Sequence, residues 1–268
     1  MQTGRLSTEL LKNIMSSSNT ESTAIVLDSL NHGESDKIVT FFCQGSGRVT
    51  GIAKGANRSK KRFQNKLEIF SYITISFKER QNTSLVFIED AELHDSFINL
   101  RCYMERYISA SFIRETLLLA TSEREGDKEV FALLHWALRS IDEAKPHLPV
   151  CIIFLLRLFN HLGYRPDFDG CRSCSSSFSL RDRYFFHHVA GGLICSNCAE
   201  TVTGNYTELS PGTIRILKQS LDETPDRLHR LGFSKQATSQ SLTMLHHYGR
   251  NLFQREIHSW KALRGLMR

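Results

Sequence analysis

Four cysteines occur as two pairs whose spacing is typical of a metal site. Cys171 and Cys174 form one CxxC pair, and Cys195 and Cys198 form a second pair after 20 intervening residues. Each pair places two thiolates on one tight turn, and two such turns supply the tetrahedral ligand set of structural zinc. Because four thiolates leave no open coordination position, we expect one Zn²⁺ with a structural rather than a hydrolytic role.

Other thiol and imidazole side chains lie near this motif or elsewhere in the chain. His187 and His188 precede the second pair and are alternative ligands, but we interpret them as surface residues. The odd total of seven cysteines suits no disulfide framework and favours a reducing compartment. Free cysteine is usually buried, so Cys43, Cys102 and Cys151 are predicted to be core residues.

Positive charge is concentrated in one segment. The chain carries a net charge of +6, but residues 37–67 contain eight cations and no acidic residue, so the rest of the chain carries −2. Six of these cations lie in residues 54–66, which we call the basic loop. Such focusing favours a polyanionic partner, either nucleic acid or an anionic membrane surface. The predicted nucleic-acid-binding residues, expected on one barrel face, are Lys37, Arg48, Lys54, Arg58, Lys60, Lys61, Arg62 and Lys66, with Phe63 expected to stack on a base.

The elements that position the basic loop are predicted to be β-strands. Short apolar or alternating runs occur between residues 23 and 93, and Gly45-Ser46-Gly47 separates two of them as a hairpin turn. Five strands in about 70 residues indicate a small barrel, and five is the strand count of the oligonucleotide-binding (OB) fold. A small sandwich or an SH3-like barrel is the alternative that strand patterns leave open.

Helical periodicity replaces the strand pattern after Phe97. Further helices are expected from an N-cap at Asp127, from Pro149, from Ser210-Pro211 and across residues 236–260. The first apolar helical face is predicted to contain Leu100, Tyr103, Met104, Tyr107, Ile108 and Phe112.

The predicted fold class is therefore α+β. A five-stranded OB barrel is followed by an α-helical domain that carries a four-cysteine zinc-ribbon module. The expected boundaries are a flexible leader at 1–22, the OB domain at 23–95, helical parts at 96–166 and 205–268, and the zinc module at 167–204. Translation starting at Met15 is a further hypothesis for the leader.

Signatures of catalysis and membrane insertion are absent from the sequence. It contains no GxGxxG or GK[ST] phosphate loop, no HExxH and no GxSxG, so we expect a protein that is not an enzyme. The most apolar run, residues 148–156, is far shorter than the ~20 residues that cross a bilayer. A cytoplasmic protein is the resulting expectation.

Several motifs in order resemble the RecO family of bacterial recombination mediators. Residues 23–27 and 33–40 are similar to the start of that family, and Gly47-Arg48-Val49, residues 53–56 and the basic loop continue the similarity. The cysteine pairs after Leu162-Gly163-Tyr164-Arg165-Pro166 also match, as does the last helix with Arg250, Leu252 and Leu263-Arg264. The resemblance covers residues 23–264, and the leader departs from it.

This resemblance implies a function in DNA repair and homologous recombination. Members bind single- and double-stranded DNA, anneal complementary strands and, with RecR, help load RecA onto DNA coated by the single-stranded-DNA-binding protein. They contact the acidic, hydrophobic C-terminal tail of that protein, so a nucleoid-associated protein is expected. Two alternatives come from other classes: an RNA-binding OB/zinc module of translation, and a DNA-joining enzyme subunit. The second would need a nucleotide-accepting KxDG motif, which the sequence lacks.

Overall fold

The computed structural model describes residues 19–79, 83–223, 227–228 and 231–267. The chain divides into two compact units. The first contains the described residues up to Ser96 together with Ser122–Lys128, and the second contains Phe97–Thr121 and the described residues from Glu129 onward. Residues 1–18 of the predicted leader lie outside the described residues.

Strands of the first unit close into a barrel. Their order is β1-β2-β3-β5-β4, and β4 pairs with β1 to complete the circle. The contact between β3 and β5 is parallel, whereas the other strand pairs are antiparallel. This topology is an OB fold and resolves the alternatives that strand patterns leave open. The strands are β1 (Asn19–His32), β2 (Asp36–Cys43), β3 (Gly47–Ala53), β4 (Tyr72–Lys78) and β5 (Val86–Asp95).

Alternation along the strands separates an apolar interior from an outer surface. On β3 every second residue is buried, and Val49 faces Phe41 of β2 in the barrel core. The hairpin predicted at Gly45-Ser46-Gly47 is confirmed, and Gly47 adopts φ +64° at the start of β3.

The predicted leader boundary is wrong by four residues, because Asn19–Ser22 pair with β4 and extend β1.

The connection between residues 122 and 128 belongs to the barrel unit although helices flank it. Arg124 N donates to Arg48 O over 3.0 Å, next to the β2–β3 hairpin. Gly126 lies so close to the hairpin that a Cβ there would stand 2.0 Å from Gly45 O. The barrel unit is thus discontinuous in sequence. The predicted OB domain at 23–95 leaves out residues 122–128.

Helices dominate the second unit. The central helix is α4, whose nine buried residues lie between Val150 and Phe159, and it contacts α2, α6 and α7. None of the described helices is long and apolar enough to cross a membrane. The helices are α1 (Ile98–Cys102), α2 (Met104–Ala120), α3 (Lys128–Asp142), α4 (His147–His161), α5 (Ser196–Ala199), α6 (Pro211–Asp222), α7 (Lys235–Phe253) and α8 (Trp260–Gly265).

The apolar periodicity after Phe97 is interrupted where a continuous helix is predicted. Tyr103 is extended between α1 and α2, with φ −118° and ψ 124°. Tyr103, Met104 and Tyr107 are predicted on the apolar helical face but are not buried, since all three side chains are exposed. The N-cap at Ser210 is confirmed, because its Oγ accepts from Thr213 N over 3.3 Å.

A small antiparallel sheet follows α4. Its strands are β6 (Tyr184–His187), β7 (Gly192–Cys195) and β8 (Tyr206–Leu209), in the order β7-β6-β8. The third strand lies beyond the predicted end of the zinc module at residue 204. The cysteine-bearing segment therefore folds around a sheet that residues 206–209 complete.

Candidate metal centre and nucleic-acid interface

Folding brings the four predicted metal ligands together. The Sγ atoms of Cys171, Cys174, Cys195 and Cys198 all lie within 4.8 Å of one another. Cys174 Sγ and Cys195 Sγ are 3.9 Å apart. Tetrahedral ligands at about 2.3 Å from zinc would be separated by about 3.8 Å, so this donor set fits a zinc ion.

Local hydrogen bonds shape the turns that carry these thiols. Cys171 N donates to Ser176 O and Ser175 N donates to Cys171 O, both over 2.8 Å, which closes the first turn. Cys195 ends β7, and Cys198 lies in the short helix α5 that follows. Cys195 N donates to Cys171 Sγ over 3.3 Å, so the second turn is joined to the first.

The electrostatics of the cluster favour a bound cation. A hydrogen bond from Ser176 lowers the pKa of Cys174 to about 6. Ser173 lowers the pKa of Cys198, but the thiols of Cys195, Cys174 and Cys171 together with burial outweigh it and raise that pKa to about 12. Several neighbouring thiolates repel one another, and a divalent cation removes that repulsion. A bound divalent cation would therefore stabilise the state in which all four cysteine thiols are deprotonated.

The prediction that His187 and His188 are surface residues is wrong, because both are buried. His187 Nδ1 accepts from Val189 N and Ala190 N, which holds the turn after β6. His188 Nε2 lies 2.9 Å from Thr207 Oγ1, and burial lowers the pKa of His188 to about 4. Neither ring belongs to the metal-ligand cluster found among the described residues.

The remaining cysteines are not all core residues. Cys43 and Cys151 are buried as predicted, and burial raises the pKa of each to about 12. The prediction is wrong for Cys102, which ends the five-residue helix α1 and is exposed. A short helix at the surface has too little buried face to cover each of its apolar residues.

The basic loop is held against one end of the barrel. Gly55 N donates to Asp36 Oδ1 and Asn57 N donates to Ser35 O, both over 2.8 Å. At the other side of the loop, Lys66 Nζ donates to Ala91 O over 2.6 Å. These bonds join the loop to the β1–β2 turn and to β5. We call the cations at this end the cationic rim: Lys37, Lys54, Arg58, Lys60, Lys61, Arg62 and Lys66.

Arg48 does not belong to the cationic rim. Lys37 pairs with Ala53 at the end of β3, whereas Arg48 pairs with Phe42, five residues further along β2. Five strand residues span about 17 Å. Lys37 and Arg48 therefore lie at opposite ends of the β2–β3 ladder. The expectation that all eight cations share one barrel face is wrong for Arg48.

Phe63 does not present its ring to a base. The side chain is 3% exposed and packs in the barrel core with Ala56 and Leu67. Residues 63 and 67 are four apart, and the loop turns both inward to close the end of the barrel. The predicted stacking role is wrong, and the residue instead anchors the loop that carries the cations.

Acidic residues from outside the basic segment reach its cations. Glu68 pairs with Lys37 and Glu34 pairs with Arg58, with N–O distances of 3.1 Å and 3.2 Å. Both acids lie just outside residues 37–67, so counting charges within that acid-free segment leaves them out. Lys54, Lys60 and Lys61 are exposed. The local charge of the rim is consequently lower than its seven cations suggest.

The topology and the two sites define an OB-fold protein with a four-cysteine metal-binding module. Family models agree with this class: Recombination protein O N terminal matches residues 15–97, and Recombination protein O C terminal matches residues 103–261. The chain belongs to the RecO family of DNA repair proteins.

Curated relatives extend over most of the chain. It is 33% identical to DNA repair protein RecO of Syntrophobacter fumaroxidans over 245 residues, which cover 91% of this chain and 96% of the relative. It is 30% identical to DNA repair protein RecO of Syntrophus aciditrophicus over 244 residues, covering 91% and 94%. A protein of the same name from Desulfitobacterium hafniense is 26% identical over 241 residues, covering 88% and 86%.

Proposed function

We propose that this protein is a recombination mediator that binds single- and double-stranded DNA and anneals complementary strands. It also helps load the recombinase RecA onto DNA coated by the single-stranded-DNA-binding protein. The observation that carries the proposal is the cationic rim, where a loop fastened to β2 and β5 presents Lys54, Lys60 and Lys61 to solvent. Membership in the RecO family supports the same function.

The physical task of annealing suits this geometry. Two phosphate backbones repel each other, and cations between them lower that repulsion. Fixing the loop on the barrel before DNA arrives reduces the entropy lost on binding. Binding and charge neutralisation are enough for the task, so the protein acts as a non-enzymatic mediator.

We propose that Cys171, Cys174, Cys195 and Cys198 hold one structural Zn²⁺. The bound ion would supply a cross-link between the turn at residues 171–174 and the turn formed by the end of β7 and α5. Support comes from the all-thiol donor set and from the 3.9 Å separation of two Sγ atoms. Its role is to stabilise the fold of this module.

The partners proposed for the protein are those of a RecO-family mediator. They are RecR and the acidic, hydrophobic C-terminal tail of the single-stranded-DNA-binding protein, and the complex acts at the nucleoid in the cytoplasm. Family membership supports this assignment.

The deciding experiment measures annealing of complementary DNA strands coated with their single-strand-binding protein. The wild type accelerates annealing, and a Lys60→Ala/Lys61→Ala variant loses most of that acceleration. A charge-matched control, Lys235→Ala/Lys261→Ala, removes two exposed lysines of the second unit and retains activity. Absence of annealing by the wild type overturns the proposal.

Two further assays address the alternatives. Preferential competition by RNA for bound labelled DNA would favour the RNA-binding module. A covalent adduct with labelled NAD or ATP would favour a DNA-joining enzyme. For the proposed mediator, DNA is bound at least as well as RNA, and no adduct forms.

A further inference from the structure

A serine outside the ligand set contacts one of the four metal-binding thiols. Ser176 Oγ lies 3.2 Å from Cys174 Sγ, and the backbone N–H of Ser176 hydrogen-bonds to the same side chain. Cys174 is the most exposed of the four ligands, whereas Cys171 is buried. Ser176 therefore supplies hydrogen-bond donors to the ligand that water reaches most easily.

The backbone holds Ser176 in a defined position. Ser176 O accepts from Cys171 N over 2.8 Å, and Phe178 N donates to Asp169 O over 2.9 Å. Gly170 packs so closely against this segment that a Cβ there would stand 2.4 Å from Ser176 O. Because the backbone is fixed at and after Ser176, the hydroxyl reaches the thiol by its χ1 rotamer alone.

Metal binding sets the direction of the contact between this hydroxyl and the thiol. A cysteine coordinates a metal as the thiolate, which has no proton to donate and can only accept. The Ser176 hydroxyl can donate or accept, so it becomes the donor once Cys174 is deprotonated. A hydrogen bond to a charged acceptor is stronger than one between neutral groups. The contact therefore stabilises the metal-bound state more than the metal-free state.

We propose that Ser176 is a positioning residue of the metal centre, whose hydroxyl orients Cys174 Sγ towards the ion and stabilises its thiolate. This inference rests on the proposed zinc site and deepens it, because it names a residue that acts through a ligand. Loss of such a supporting hydrogen bond typically lowers metal affinity by about 10- to 100-fold. The hydroxyl would thus help the module to keep its ion when free zinc is scarce.

The test titrates zinc bound to the full-length protein against a chromophoric chelator. Ser176→Ala removes the hydroxyl and keeps the backbone N–H and C=O that close the turn. The dissociation constant for zinc should rise by about 10-fold or more in this variant. Ser177→Ala is the matched control, because it removes the hydroxyl of the next residue, which is also exposed and is not a ligand. Its zinc affinity should equal that of the wild type.

Two further variants separate the hydroxyl from the shape of the side chain. Ser176→Thr retains a hydroxyl and should bind zinc nearly as tightly as the wild type. Ser176→Val has the shape of threonine without the hydroxyl and should bind zinc as weakly as Ser176→Ala. This pair decides the matter even if Ser176→Ala does not fold, because both members carry the same bulk at the same position.

Cobalt substitution gives a readout that a purely structural role would not change. Co²⁺ bound by four thiolates absorbs light through sulfur-to-metal charge transfer, and a hydrogen bond to sulfur lowers the energy of its lone pairs. The charge-transfer band of cobalt-loaded Ser176→Ala should therefore lie at longer wavelength than that of the wild type. Ser176→Thr and Ser177→Ala should keep the wild-type spectrum.

The outcomes distinguish this inference from the proposed zinc site. If the wild type binds zinc and Ser176→Ala binds it equally tightly with an unchanged cobalt spectrum, the inference is wrong and the zinc site remains. Equal losses of affinity in Ser176→Thr and Ser176→Val, or a loss of the same size in Ser177→Ala, also contradict it. If the wild type binds no zinc, the proposed zinc site fails and the inference fails with it.

Discussion

Lys37 and Glu68 form an ion pair at the end of the barrel that carries the basic loop, with 3.1 Å between Nζ and Oε1. The two residues are 31 positions apart, and Glu68 directly follows the acid-free segment in the sequence. Part of the rim's positive charge is thereby neutralised before DNA binds. An acidic residue in this position weakens the attraction for phosphates.

Glu68→Gln should therefore increase DNA affinity. The substitution removes one negative charge beside Lys37, and exposed ion pairs contribute about 0.2–1 kcal/mol, which corresponds to an increase of up to about 5-fold. The increase should diminish between about 50 and 300 mM salt, because screening shortens the range of the charge. Fluorescence anisotropy with a labelled oligonucleotide measures both effects. Unchanged affinity at low salt would contradict the prediction and show that the charge of Glu68 does not influence DNA binding.

The salt dependence of binding reports how many rim cations contact phosphates. If about four of them do so on single strands, log K against log salt should have a slope of about −3. Lys60→Ala/Lys61→Ala should make the slope less negative by about 1.4 and weaken binding to all sequences alike. A slope near zero for the wild type would exclude an electrostatic interface.

Removal of a single ligand thiol should unfold the metal module. Cys171→Ser and Cys198→Ser should lose the metal and lower the yield of folded protein, because metal binding and folding are coupled. The control is Cys102→Ser, since Cys102 is exposed and outside the cluster. Elemental analysis should find one zinc per chain in the wild type and the control. Wild-type protein purified without chelator that contains no zinc would contradict the prediction.

Gly126→Ala should destabilise the barrel unit. Its Cβ would stand 2.0 Å from Gly45 O, so the connection at residues 122–128 would have to move away from the hairpin. We expect a loss of about 1–3 kcal/mol in the free energy of unfolding. Gly212→Ala is the matched control, since a Cβ there meets nothing within 4 Å and alanine favours the helix α6. Urea unfolding measures the free energy of unfolding of both variants, which should decrease for Gly126→Ala and increase for Gly212→Ala.

Acid should destabilise the second unit partly through His246. This side chain is buried against Trp260, with ring centroids 4.2 Å apart, and burial lowers its pKa to about 3. In the unfolded chain the ordinary value is 6.5. The unfolded state thus binds more protons below pH 6.5, so stability falls as pH decreases from 6.5 towards 3. His246→Phe should reduce the loss between pH 7 and pH 5 by about 1–2 kcal/mol, measured by thermal unfolding in parallel with the wild type.

Local motifs were predictable because their geometry depends on a few consecutive residues. A CxxC turn needs four residues, and the hairpin at Gly45-Ser46-Gly47 needs little more, so both could be placed without knowledge of the fold. The N-cap at Ser210 belongs to the same category, since its partner Thr213 is three residues away. Hydrophobic alternation similarly predicted the strands of the barrel.

Positions that depend on distant partners were not predictable in this way. Phe63 is buried because the loop folds over the barrel opening, and Arg48 is separated from the rim by the length of β3. His188 stacks on His247 from a segment about 60 residues away, which no local pattern indicates.

The sequence by itself determined the kind of protein: a five-stranded part with a basic loop, a helical part and a four-cysteine motif. Spacing and periodicity encode those features within short windows. Only the tertiary structure decided which cations share a surface and which acids oppose them. Those relationships depend on strand register and on packing between residues far apart in the chain, because a shift of one residue moves each side chain to the other face of a strand.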